Sequence, residues 1–190
     1  MLNTIVTSFD WIQTQIQVNL PVLGMIVLVL WGIFFLNLIL NNTLLFLGII
    51  PRKAYGLFGI FFAPFLHANF NHLFFNTIPL LVLSAFLLIH GVAYYLWVTF
   101  LITVLSGSLV WLFGKPGLHV GASGVITGYW GLLVLDIYHE GSVTAIILGV
   151  ISLYYFAGIF FGIFPTKRGV SWEGHLFGLA SGIAVGFWLG

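Results

Sequence analysis

The stretch Gly121-Ala122-Ser123-Gly124-Val125-Ile126-Thr127-Gly128-Tyr129-Trp130 heads an apolar run that continues to Tyr138 with one charge, Asp136. Ser123 lies among small residues, and Gly121, Gly124 and Gly128 strip side chains from its flanks. A hydroxyl so placed has little bulk around it, so another group can come close. Whether this run crosses a membrane decides the fold.

Composition says that it does. Of 190 residues, 61% are hydrophobic and 5% are charged. A soluble domain carries about 25% charged residues and is about half apolar. A soluble fold of this size has too little interior to hide so much apolar surface. Closed barrels need strands that alternate polar and apolar. Here the runs are continuous, so the chain reads as an all-α integral membrane protein. The lack of cysteine excludes disulfides, thiolate catalysis and cysteine-ligated metal. A net charge of +1 provides no basic field for nucleic acid. Residues 1–20 hold no lysine or arginine, so a cleaved signal with a basic n-region is not expected.

Working outward from the central run, the chain divides into a short N-terminal segment and six spans. In residues 1–20, Leu2, Ile5, Phe9, Ile12 and Ile16 recur at helical spacing, which predicts a helix lying in the membrane interface. The remainder, 21–190, reads as one domain. Its first span is 22–40. Residues 44–64 are apolar but broken by Pro51-Arg52-Lys53, Gly56, Gly59 and Pro64, and predict a membrane-embedded loop with short helical pieces. Irregular backbone at that depth must be covered by protein or water. The second span runs from about Phe65 to Ile89 and the third from Val92 to Phe113. The fourth runs from Gly121 to Tyr138, the fifth from Val143 to Phe164, and the sixth from Ser171 to Gly190.

Polar groups inside a bilayer are costly and mark function. Those that count here are His67, His72, Asn76, Ser123, Thr127, Glu173 and His175. In an up-and-down bundle the second, fourth and sixth spans begin on the same side of the membrane. His72, Ser123 and His175 therefore fall at similar depth on that side. Gly178 and Gly182 on the last span, and Gly124 and Gly128 on the fourth, repeat at spacing four, which lets helix backbones approach closely. If those faces meet, serine and imidazole arrive together.

A serine needs a base to become a nucleophile, and histidine is the usual one. Glu173 lies two residues before His175, about 200° round the helix; Asp136 and Glu140 fall on the far side of the membrane, and Asp10 lies in the N-terminal segment. The pattern therefore predicts a Ser123–His175 dyad rather than a triad. His72 and Asn76 are four apart on one helix face, a spacing that suits two donors to an oxyanion, with the Ser123 N–H as a third, or two side chains that satisfy each other or nearby backbone. His67, His72 and His175 were the best metal set, but no His-Glu-x-x-His motif and no suitably placed acid accompany them. Neither metal nor cofactor is expected. His119, just ahead of Ser123, reads as a surface histidine or as a substrate contact.

Three motifs carry a resemblance. Gly121-Ala122-Ser123-Gly124 is similar to the G-x-S-G motif of the rhomboid family of intramembrane serine proteases. The run from Gly174-His175 to Gly182 resembles that family's last-span motif, and His67 to Asn76 its H-x₄-H-x₃-N. The resemblance covers nearly the whole chain. It implies a six-span bundle in a bacterial cell membrane, with transmembrane proteins as substrates. It also implies Ser123 as nucleophile, His175 as base, His72 and Asn76 as oxyanion donors, and a structural role for His67. The alternative is a catalytically silent relative that binds transmembrane segments. Thr127 stands where many members have tyrosine, and Pro51-Arg52-Lys53 where many have a Trp-Arg pair, which marks a divergent subgroup.

The loops on the side of Ser123 hold every basic residue: Arg52, Lys53, Lys115, Lys167 and Arg168. The positive-inside rule makes that side cytoplasmic, whereas the resemblance implies the reverse.

Overall fold

The computed structural model describes residues 2–164 and 171–189. Seven helices, α1 to α7, form a bundle, and no strand occurs among the described residues. The chain is an integral membrane protein. Three helices are long and apolar enough to span: α1 (Leu2–Ile39), the Phe70–His90 segment containing α3 (Phe70–Leu87), and α4 (Val92–Phe113). α5 (Ser123–His139), α6 (Val143–Phe156) and α7 (Trp172–Leu189) complete the bundle behind them.

The N-terminal segment and the first span are one helix. α1 runs unbroken through Pro21, where a boundary was expected. The reason is its buried stripe. Ser8, Ile12, Asn19, Leu23, Leu30, Phe34 and Asn37 are buried. Ile16 and Ile26 pack beside them. That is a single heptad-like seam on both sides of the proline. Leu2 and Phe9, assigned to the stripe from sequence, are exposed. The Asn19 side-chain amide donates to Gln15 O and Leu88 O, pinning the helix to the turn after α3. At 1.5 Å per residue the helix is about 57 Å long, nearly twice the roughly 30 Å hydrocarbon core.

The loop over 44–64 is built as expected, from 3-10 turns at Thr43–Leu47 and Ala54–Leu57, the single turn α2 (Gly59–Phe62), and a further 3-10 turn at Ala63–Phe65. It is tied to the far end of α4. The Arg52 N–H donates to Trp111 O, and Nη1 donates to Leu112 O at 3.1 Å and Gly114 O at 2.9 Å. The Trp111 indole donates back to Lys53 O. Carbonyls left open at a helix C-terminus carry partial negative charge, and Arg52 engages three carbonyls at this end.

Two boundaries differ from expectation. α3 starts at Phe70 rather than near Phe65, because the Asn69 side chain accepts from the His72 N–H and caps the helix there. α6 ends at Phe156, and its continuation, Ala157–Ile163, is 3-10 rather than α-helical. The expected loop at Pro165–Gly169 lies outside the described residues.

α5 packs most extensively on α7. A Cβ at Gly178 would fall on the carbonyl oxygen of Gly124, and one at Gly182 on that of Gly128. In return, Gly124 and Gly128 face the carbonyls of Gly174 and Gly178. The two glycine faces meet. Below them, Tyr129 OH pairs with Thr99 Oγ1, and Tyr95 OH with Ser84 Oγ, which links α3, α4 and α5 through the core.

Gly182→Val should destabilise the bundle by about 1–3 kcal/mol through overpacking. At Gly32 of α1, nothing lies within 4 Å of an added Cβ, and Gly32→Ala should be neutral or stabilising. Reversible unfolding in mixed detergent micelles reads both.

Candidate active site

Four side chains from three helices share one wall. His72 and Asn76 from α3, Ser123 from α5 and His175 from α7 all line a cavity of about 430 Å³. Each is placed by its own helix start. The Asn69 cap fixes the first turn of α3, which carries His72, and Asn76 follows one turn later. Ser123 is the first residue of α5. His175 lies in the first turn of α7, which Ser171 caps by accepting the Gly174 N–H at 3.2 Å.

The N-terminus of α5 is open. The residue before it is Ala122, which has no side chain to cap the helix. The first N–H groups of a helix have no intrahelical partner and carry partial positive charge. The Ser123 N–H is one of them. Beside it, Gly121 has φ +117°, a conformation that L side chains rarely adopt. A Cβ there would meet His72 Nε2 at 2.5 Å and Asn76 Nδ2 at 3.5 Å. The backbone ahead of Ser123 thus lies directly against both side chains, and only glycine fits. Asn76 Nδ2 is buried and has no hydrogen-bond partner among the described residues. A buried donor left unpaired costs about 1–3 kcal/mol.

His175 is oriented by backbone. Its Nδ1 lies 3.1 Å from Ser171 O. A carbonyl only accepts, so Nδ1 carries the proton and Nε2 carries the lone pair. This is the tautomer a general base needs. Glu173 takes no part: it is buried and pairs with Lys115 at 3.8 Å. Among the described residues no hydrogen bond joins Ser123 Oγ to His175. Catalytic pairs without substrate are often longer than they become in the reacting complex.

Three placements were not foreseen. His67 precedes α3 rather than riding on it. Its buried ring meets that of His72 edge-on, with centroids 5.0 Å apart. Thr127 turns back on its own helix, donating to Ser123 O and Gly124 O. The ring of His175 instead faces Gly162, where a Cβ would sit 3.3 Å from it. Gly162 had no signal in the sequence, being one glycine in an apolar run. His119 is half-buried, and its ring is held by Ser171 and Lys115.

Comparison with known proteins gives the site a context. A model of the Rhomboid domain matches residues 54–190. Uncharacterized proteins of Mycobacterium tuberculosis and Mycobacterium bovis are 39% identical over 151 residues, covering 75% of this chain and 63% of theirs. One from Mycobacterium leprae is 39% identical over 152 residues, covering 75% of this chain and 60% of its own. The chain therefore spans less than two thirds of the length of these relatives.

Asn69→Ala should lower stability by about 1 kcal/mol through loss of the α3 cap, and Asn69→Asp should retain most of it. Chemical or detergent unfolding of the two variants checks this.

Proposed function

The chain belongs to the rhomboid family, and from that premise we propose that it is an intramembrane serine protease that cuts its substrates through Ser123 and His175. The observation that carries this reading is the shared cavity. A potential nucleophile, a histidine in the tautomer of a base, and an unpaired buried donor all face the same space. Rhomboid proteins act on transmembrane segments in the bilayer, so the substrate is a membrane protein.

The chemistry runs as follows. The Ser123 hydroxyl gives its proton to His175 Nε2, and its oxygen attacks the scissile carbonyl carbon. Negative charge gathers on the carbonyl oxygen, where Asn76 Nδ2, the His72 ring N–H and the Ser123 backbone N–H receive it. His175 passes the proton to the leaving amine, and an acyl-enzyme remains. Water, activated by His175 in turn, releases the acid and restores Ser123. The cavity of about 430 Å³ that both Ser123 and His175 line has room for such a water. The substrate must unwind locally, because a helical peptide bond is shielded by its own turn. Lys115 and Glu173 pair with each other beside the site, which leaves the dyad without a carboxylate.

The missing hydrogen bond between Ser123 and His175 favours a second reading, a relative that binds transmembrane segments without cutting them. The two readings separate in one assay. Wild-type protein in proteoliposomes should cleave a transmembrane reporter and take up a fluorophosphonate at Ser123, and Ser123→Ala should do neither. His72→Ala and Asn76→Ala should each lower kcat by about 100-fold. Equal cleavage by wild type and Ser123→Ala would remove the dyad.

A further inference from the structure

The ring of His119 is bonded at both nitrogens. Nε2 lies 2.9 Å from Lys115 O, and Nδ1 lies 2.7 Å from Ser171 Oγ. Its backbone is held as well, since the N–H and C=O of His119 pair with those of Ile49 in an isolated bridge. The imidazole is thus clamped from two sides.

These bonds fix the protons one after another. Lys115 O only accepts, so Nε2 of His119 carries the hydrogen. Nδ1 of His119 is then an acceptor, and the Ser171 hydroxyl must donate to it. With its proton so committed, Ser171 Oγ turns its lone pairs toward the Gly174 N–H, from which it accepts at 3.2 Å. Ser171 O lies on the same residue and accepts from His175 Nδ1. That carbonyl, a separate atom of the residue His119 holds, is what keeps the His175 proton on Nδ1 and its lone pair on Nε2. This half-buried network holds rotamers because each of its bonds is satisfied.

We infer that His119, acting through Ser171, is a positioning residue that sets the orientation of His175. The inference rests on the protease reading above. In enzymes with a triad a carboxylate holds the base by its other nitrogen. Here the acid nearest in sequence, Glu173, pairs with Lys115 instead. A backbone carbonyl takes the carboxylate's place, and a carbonyl is only as well placed as the residue that carries it. Ser171 stands at the start of α7, and within the described residues His119 is the side chain from another element that holds its hydroxyl. The contact joins the loop ahead of the nucleophile to the helix of the base, 52 residues apart. Both arms of the dyad are thereby set against one another before substrate arrives.

His119 and Ser171 also line the cavity, so direct contact with substrate is the competing account. Steady-state kinetics on the full chain in proteoliposomes, with the transmembrane reporter, tells them apart. His119→Phe keeps the ring's bulk and removes both bonds. Ser171→Ala removes the hydroxyl and leaves the carbonyl. Each should lower kcat about five- to tenfold, as loss of one hydrogen bond does, with KM unchanged. The double variant should be no slower than the slower single one, because the two act as a unit. His119→Gln, with a donor and an acceptor, should recover part of the rate, and Ser171→Thr should retain it. Should His119→Phe fail to fold, the pair Ser171→Ala and Ser171→Thr carries the test.

Unchanged kcat, additive losses in the double variant, or a rise in KM at constant kcat would overturn the inference. Fluorophosphonate labelling of wild type at Ser123, with equal kcat in all variants, would overturn it while leaving the protease reading intact. A wild type that neither labels nor cleaves would overturn both.

Discussion

The contact between α5 and α7 is the constraint on which the rest depends. Glycine carbonyls of one helix sit where side chains of the other would otherwise stand. At such a separation no residue larger than glycine is tolerated without backbone movement, so the distance between the two axes is set by the backbones themselves. In a bilayer, helix association draws little from hydrophobic burial, since lipid is as apolar as leucine, and close packing takes its place. Ser123 and His175 lie at the upper ends of these two helices. Their mutual position therefore follows in large part from this backbone-to-backbone contact.

The other half of the site is held by different means. α3 approaches through its capped first turn, and His72 and Asn76 press against Gly121 rather than against a helix face. Loop 44–64 is anchored to the end of α4 through Arg52 and Trp111, and to the loop ahead of Ser123 through the pairing of Ile49 with His119 and of the Gly121 N–H with Ala63 O. A polar site inside an apolar protein needs such ties, because water is not there to satisfy backbone that wanders.

Much of this was legible in the sequence because it depends on counting. The order of apolar runs brought His72, Ser123 and His175 together, and they line one cavity; the approach of α5 to α7 follows from glycines four apart. Elsewhere local signals misled. Pro21 reads as a boundary, yet the seam of α1 passes through it, because tertiary packing on both sides outweighs one missing hydrogen bond. The start of α3 was hidden in an apolar run, and Asn69 was the available clue. The 3-10 stretch after Phe156 and the contact of Gly162 with His175 leave no periodic trace. The role of His119 was illegible for another reason. It rests on a side-chain contact between residues 52 apart, and no spacing rule reaches that far.

Arg52 carries one more consequence. Its guanidinium is engaged with the carbonyls that end α4, and Lys115 faces Glu173 and the ring of Trp172. Cations held in this way have an architectural reason to be where they are, whichever compartment they face. An insertion machinery that weighs flanking positive charge sees them all alike, but the folded protein would require these two on either side of the membrane. The one-sided distribution of basic residues in this chain is thus partly a by-product of how the loops are fastened, and not purely an address.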